Sequence, residues 1–299
     1  MGKFRVTSIG EILYDVYPEY KKLGGAPFNF IYHIWKLNGQ GNFVSRVGDD
    51  KNGREILKFL KSKKFDCKNI SIDPHYPTGK VNLRLLENKV PQFTISPESA
   101  WDYIELTDEI KKLVAKKTDL LYFGTLSQRS FTTRSTIEHL LNEKIKYFSD
   151  LNLRHTFFNE QMISTAFNKS NVIKTNQNEL KIITDLLFKR QYKIKDAAKR
   201  LIDEYNLDLL CITLGSEGAY LFSRDGSNKT KPSVKKIVDT LGAGDAYSAI
   251  LCLGHLNGWK IEKINKIANK FACEICTVEG ALPEDDSFYD KYKSALKGN

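Results

Sequence analysis

Short apolar, β-branched or aromatic runs alternate with longer segments whose apolar residues recur at helical spacing, through most of the 299 residues. Phe4 to Ile9 reads as a strand ending at Gly10. Lys22-Leu23-Gly24-Gly25-Ala26-Pro27 reads as a loop, and Phe28 to Leu37 as a helix stopped by Asn38-Gly39. A strand over 42–47 and a helix over 50–61 follow. Strand, helix and strand in that order imply a parallel sheet, because parallel strands need a long crossover. Further strands are predicted near 120–123, 147–151, 171–174 and 209–213. Further helices are predicted at 132–142, 177–187, 194–205, 243–256 and 261–276.

One stretch breaks the alternation. Thr78 to Leu86 and Val90 to Ile95 are two strand-like runs joined by Glu87-Asn88-Lys89, a hairpin, and Tyr14 to Tyr20 is a candidate third strand of the same small sheet. No repeat of 20–50 residues and no low-complexity linker is present. The expected architecture is α/β: one unit over 1–299, with a doubly wound, mainly parallel sheet and helices on both faces. Segments near 12–23 and 78–100 are inserted as a small β-sheet.

Composition narrows the class. Apolar residues make up 41%, with 17 Phe and 14 Tyr, so a sizeable core is available. Disorder is expected only in the last residues, Ser294 to Asn299. The net charge is +10, but its lysines are scattered over helix-like segments, with no Arg-rich arm and no zinc-finger spacing. A solvated surface is expected, not a nucleic-acid partner. Cys273 and Cys276 share a helix face without a second pair, which suits buried small side chains in a cytoplasmic protein. His33 and His255 lie on apolar helices and show no paired metal spacing. Met1 to Ile9 carries no long apolar segment, so neither a signal peptide nor a membrane span is expected.

In doubly wound sheets, ligands bind at the carboxyl ends of strands. The polar clusters fall there: Gly10-Glu11, 124–129, 150–154, 175–179 and 213–218. The most telling motif is Asp239-Thr240-Leu241-Gly242-Ala243-Gly244-Asp245, directly before an apolar helix. Small residues admit a ligand to the backbone, and a helix N-terminus presents free N–H groups and positive partial charge. Such a site holds phosphate or the charge that builds up during its transfer. Asp245, in the first turn, is placed to accept a proton from an attacking hydroxyl. Its carboxylate is expected to be ionised without any raised pKa.

Other segments admit two readings each. Asn29 in Gly24-Gly25-Ala26-Pro27-Phe28-Asn29 offers a donor and an acceptor to a ligand, or belongs to a capping turn. Asp15, and less so Glu11, suits sugar hydroxyls or is a turn acid. Asn176 with Glu179 forms a capping box, or faces phosphates and Mg²⁺ through water. Arg154 clamps an anion or makes a surface pair. Thr213-Leu214-Gly215-Ser216-Glu217-Gly218 is a tight turn, or the edge of a nucleotide. No P-loop, dinucleotide fingerprint or protein-kinase signature is present.

Together, the Gly24–Asn29 and Asp239–Asp245 motifs resemble those of the PfkB, or ribokinase-like, family of carbohydrate kinases. The resemblance extends through Val47-Gly48-Asp49-Asp50, Gly53-Arg54 and the Asn176/Glu179 pair. Gly10-Glu11-Ile12-Leu13-Tyr14-Asp15, Ala100-Trp101-Asp102 and Phe123-Gly124-Thr125-Leu126-Ser127-Gln128-Arg129 look most like the fructokinase branch. This implies ATP-dependent phosphorylation of a primary hydroxyl of a ketohexose, fructose first. Other acceptors are ribose, tagatose, 2-keto-3-deoxygluconate or a nucleoside; a sugar-binding protein without catalysis is the third reading. By position, Asp245 is the base, and Gly242, Ala243 and Gly244 form the anion hole. Asp15, Gly25, Asn29, Glu11, Gln128 and Arg154 bind substrate. Asn176, Thr213, Gly215, Gly218, Asn269 and Cys273 border ATP, and Glu179 acts on Mg²⁺ through water. A monovalent cation, K⁺, would use Asp239 and the Leu241 carbonyl, although Glu279 departs from the basic residue common in that segment. The inserted sheet would be a lid that also mediates homodimers.

Overall fold

The computed structural model describes residues 4–85, 91–232 and 236–297; the expected connection Glu87-Asn88-Lys89 lies outside them. The chain runs β1 (Val6–Ile9), β2 (Leu13–Val16), β3 (Lys21–Gly24), α1 (Ala26–Asn38), β4 (Asn42–Gly48), α2 (Lys51–Ser62), β5 (Ile70–Asp73), β6 (Gly79–Leu85) and β7 (Pro91–Ile95). It continues through α3 (Asp108–Lys117), β8 (Leu120–Gly124), α4 (Phe131–Leu140), β9 (Lys146–Asp150), α5 (Glu160–Lys169), β10 (Val172–Asn176), α6 (Gln177–Phe188) and α7 (Ile194–Tyr205). Then come β11 (Leu209–Thr213), β12 (Ala219–Ser223), β13 (Gly226–Thr230), α8 (Ala243–Leu256), α9 (Ile261–Ile275) and α10 (Ser287–Lys297).

Among the described residues, nine strands form one sheet in the order β13-β12-β11-β10-β9-β8-β1-β4-β5. The seven strands from β11 to β5 are parallel; β12 and β13 are antiparallel. Parallel strands covered by helices are buried on both faces, and the sequence obeys this. In β8, Leu120 and Tyr122 join one core while Leu121 and Phe123 join the other. The first core is closed by α1, α2, α8, α9 and α10, the second by α3 to α7. From β1 the chain steps out to β4 and β5, then returns on the other side of β1 to β8 and beyond. That reversal is the topological switch point, where a crevice opens beyond the strand ends.

A second sheet has the order β3-β2-β6-β7. Arg129 fixes its base. The guanidinium donates to both Asp102 oxygens at 2.8 and 2.6 Å and to the Ser96 carbonyl just after β7. It also lies 4.2 Å over the Trp101 ring. This paired, stacked geometry makes a nearly dry charge tolerable.

Three sequence expectations need correction. Tyr14 to Tyr20 is not one strand: β2 ends at Val16, Tyr17 to Tyr20 turn, and β3 returns antiparallel. Lys22 to Pro27 is not a loop either. Lys21–Gly24 pairs with β2, and the helix starts at Ala26, leaving only Gly25, at φ 112°, between strand and helix. The tail is helical through Lys297, because Tyr289, Tyr292 and Leu296 bury one face. The sequence reading also passed over β5, α3, α5, β12 and β13.

Candidate active site

Gly242 caps α8 with left-handed φ 75°, and having no side chain it offers the first-turn amides no acceptor. The Gly244 and Asp245 amides of the first turn therefore have no side-chain acceptor among the described residues. They face outward with the positive end of the helix dipole behind them. Helix α1 begins beside this point. Pro27 sits in its first turn and Gly25 is its N-cap. A Cβ on Gly25 would lie 2.5 Å from the Glu11 carbonyl oxygen, so only glycine allows the approach.

The two helix starts meet through side chains. Asn29 Nδ2 donates to Asp245 Oδ2 at 2.8 Å across 216 residues of sequence. Asn29 Oδ1 is buried without a partner among the described residues. Below them, Asp150 Oδ2 accepts from Lys174 Nζ at 2.6 Å, Ser248 Oγ at 2.8 Å and Tyr122 Oη at 3.2 Å. Burial, then the Asp150 charge, pushes Asp245 up to about 7, against the opposing influence of Lys174, Asn29 and Arg154. The expectation of an unshifted carboxylate is thus corrected: the helix dipole does not outweigh burial beside a second acid. Burial disfavours the Lys174 ammonium, but Asp150 at contact distance more than compensates and raises it.

Asp15 stands on β2, half-buried, with no hydrogen-bond partner among the described residues. Burial raises it to about 6, with Arg154 opposing and Asp239 reinforcing. Glu11 is buried, raised chiefly by burial, and accepts from Ser127 Oγ at 2.6 Å. Exposed Arg154 makes no ion pair among the described residues, yet its charge acts on Asp15, Glu11 and Asp245 together. Gln128 turns inward and donates to the Gly124 carbonyl at 2.8 Å.

The capping box at Asn176 is complete. Its Oδ1 accepts from the Asn178 and Glu179 amides, and Glu179 Oε2 accepts from the Asn176 amide. Glu179 also accepts from Thr175 Oγ1 and from the Leu153 amide, so both its oxygens are engaged. Burial, first, raises its pKa. Gly215 and Gly218 both take positive φ in the turn after β11. Thr213 donates to the Thr175 carbonyl at 3.4 Å. Asn269 donates to the Lys231 carbonyl at 2.8 Å and Cys273 is buried, both on α9 beside α8.

Asp239 braces the loop before α8: it accepts from the Leu241 amide and from the Gly280 amide, each at 3.0 Å. Lys22 of β3 reaches the same place, 3.7 Å from Asp239 and 2.8 Å from Glu279. The unusual acid at 279 therefore has a partner in the second sheet. Among the described residues, no group of three or more His, Cys, Asp or Glu is arranged to hold a metal, and no helix is long and apolar enough to cross a membrane.

The sheet, its crevice and the helix-borne carboxylate define a ribokinase-like α/β enzyme. Residues 4–286 match the pfkB family of carbohydrate kinases, and the chain belongs to that family. A probable fructokinase-4 of Arabidopsis thaliana is 25% identical over 99% of this chain and 98% of its own. The structure of an uncharacterised sugar kinase of Pyrococcus horikoshii superposes with TM-score 0.81 at 23% identity, covering 98% of this chain and 99% of that one. A double-mutant fructokinase of Vibrio cholerae O395, in fructose-, ADP- and potassium-bound form, gives TM-score 0.75 at 22% identity over 96% and 98% of the two chains.

Proposed function

We propose that this carbohydrate kinase transfers the γ-phosphoryl group of ATP to a primary hydroxyl of a ketohexose, and that the acceptor is fructose. The observation that carries the reading is the Asn29–Asp245 hydrogen bond, which joins the early glycine motif to the late one at a helix N-terminus with free amides. Asp15, with an unpartnered carboxylate, and Asn29 hold sugar hydroxyls together with Gly25, Glu11, Gln128 and Arg154. Asp245 accepts the proton of the attacking hydroxyl. The amides of Gly242, Ala243 and Gly244 face the transferred group and stabilise its charge, the Ala243 amide once it gives up its long, 3.4 Å bond to the Thr240 carbonyl. The donor set fits nucleotide phosphates: free amides, a helix dipole and buried Lys174.

ATP, when bound, supplies the phosphoryl group beside Asn176, Thr213, Gly215, Gly218, Asn269 and Cys273. Mg²⁺ would be reached from Glu179 through water, since both carboxylate oxygens already have protein partners. A monovalent cation would sit against Asp239 and the Leu241 carbonyl. The four-stranded sheet serves as a lid that excludes water from the transfer. Pairing of two copies through that sheet belongs to the same proposal, as does treatment of 1–299 as one unit.

ADP release over fructose, ribose, tagatose, 2-keto-3-deoxygluconate and adenosine tests the assignment. The highest kcat/KM is expected with fructose. Asp245→Asn should lower kcat at least ~100-fold, the range a positioned base supplies, while leaving the sugar Kd unchanged. A better acceptor than fructose overturns the substrate, and near-normal turnover of the variant overturns the mechanism.

A further inference from the structure

Lys174 belongs to no part of the assignment above except its charge, yet its place is unusual. It lies on β10, a strand buried along its length, and only 7% of the residue is exposed. A buried lysine is tolerated only with a partner. Its register partner across the β9–β10 pairing is Asp150, which it meets at 2.6 Å. Asp150 is fixed from two further sides by Ser248 of α8 and Tyr122 of β8. The ammonium thereby points at the start of α8: a Cβ on Gly244 would sit 3.3 Å from Lys174 Nζ. Gly244 is exposed on the crevice side, so only an absent side chain separates the ammonium from the mouth of the anion hole.

We infer that Lys174 is a positioning residue for phosphoryl transfer, set by Asp150 beneath Gly244 to hold Asp245 in its ionised form and to add positive charge behind the anion hole. The inference rests on the kinase reading and deepens it. The charges facing Asp245 come from every neighbouring element. Asp150 of β9 opposes its ionisation; Lys174 of β10 and Arg154 after β9 favour it. Asn29 of α1 adds a neutral hydrogen bond, and Tyr122 of β8 and Cys211 of β11 stay protonated, raised chiefly by burial. Asp150 and Lys174 are buried and Asp245 is half-buried beside them, so the buried ammonium, poorly screened, bears directly on whether Asp245 keeps its proton.

The test separates charge from damage to the fold. Lys174→Met and Asp150→Asn remove opposite charges from one ion pair. Difference infrared spectroscopy on the unliganded protein, with Asp245→Asn as the blank, follows the Asp245 carboxylate across pH. The midpoint should rise by about one pH unit or more in Lys174→Met, fall in Asp150→Asn, and return near the parent in the double variant. Lys174→Arg keeps the charge and should keep the midpoint. The acidic limb of kcat/KM should move with it. From a starting value of about 7, a rise of one unit lowers turnover at pH 7 about fivefold through lost ionised base. Midpoints that stay put in folded single variants, or that move in the same direction in both, overturn the inference. The titration needs no substrate, so failure of the sugar assignment leaves it interpretable.

Discussion

Replacing Gly242 by alanine tests whether the anion hole is built on backbone that no other residue can adopt. Gly242 has φ 75°, and the added Cβ would lie 2.4 Å from Ala281 Cβ and 2.7 Å from Ala281 Cα. The left-handed backbone costs a residue with a side chain ~1–2 kcal/mol. Overlap with packed backbone adds ~1–3 kcal/mol. The sum, ~2–5 kcal/mol, corresponds to a fall in Tm of about 4–10 °C for a chain of this size. Gly258 supplies the control. Its φ is 65°, but a Cβ there meets nothing within 4 Å, so Gly258→Ala retains only the conformational part. Scanning calorimetry of the two variants isolates the contact with Ala281. Because the loop must give way, the free amides shift, and kcat of Gly242→Ala should fall ~100-fold, the scale of a displacement near 1 Å. Equal melting temperatures for the two variants, or unchanged turnover in Gly242→Ala, would refute the reasoning.

Asp245 should leave two marks on pH dependence. As a base raised to about 7, it loses activity as pH falls below that value, approaching tenfold per pH unit in kcat/KM. The same rise destabilises the fold above about 7, where the carboxylate is ionised against its surroundings, and this penalty vanishes as pH falls through the ordinary value, 3.8. Asp245→Asn should therefore be more stable than the parent in chemical denaturation at pH 8, by at most ~4 kcal/mol, and lose that advantage near pH 4; an equal gain at both pH values would contradict it. Arg129→Leu should cost ~3–5 kcal/mol in chemical denaturation by leaving Asp102 buried and unpaired, and should speed proteolysis near Ser96. A loss under 1 kcal/mol would show that Asp102 finds water instead.

The central strands were legible because a strand buried on both faces reads as an unbroken apolar run, as Leu120-Leu121-Tyr122-Phe123 does. Helix α8 and its glycine loop were legible for the same kind of local reason. What escaped depended on partners distant in sequence. β13, Gly226-Ser227-Asn228-Lys229-Thr230, is mostly polar and exists because β12 lies beside it. β3 carries two lysines and is ordered by pairing with β2. The helix at 287–297 was within reach, since Tyr289, Tyr292 and Leu296 share one face, but three lysines and a terminal position masked it. In the site, Asp245 and Asn29 announced themselves through glycine neighbours. Lys174 did not: a lysine near a strand end reads as solvated until the register sets it opposite Asp150. The signal was there in a weaker form, as a charged residue directly after the apolar pair Val172-Ile173 of a parallel strand.

The Asn29–Asp245 bond has a consequence for synthesis in the cell. Its two ends emerge from the ribosome 216 residues apart, and β1, third from one edge of the sheet, acquires one neighbour only when β8 has been made. Any chain truncated before α8 lacks Asp245, and with it the bond that joins the two motifs. The proposed site is thus completed only by one of the last three helices to be synthesised.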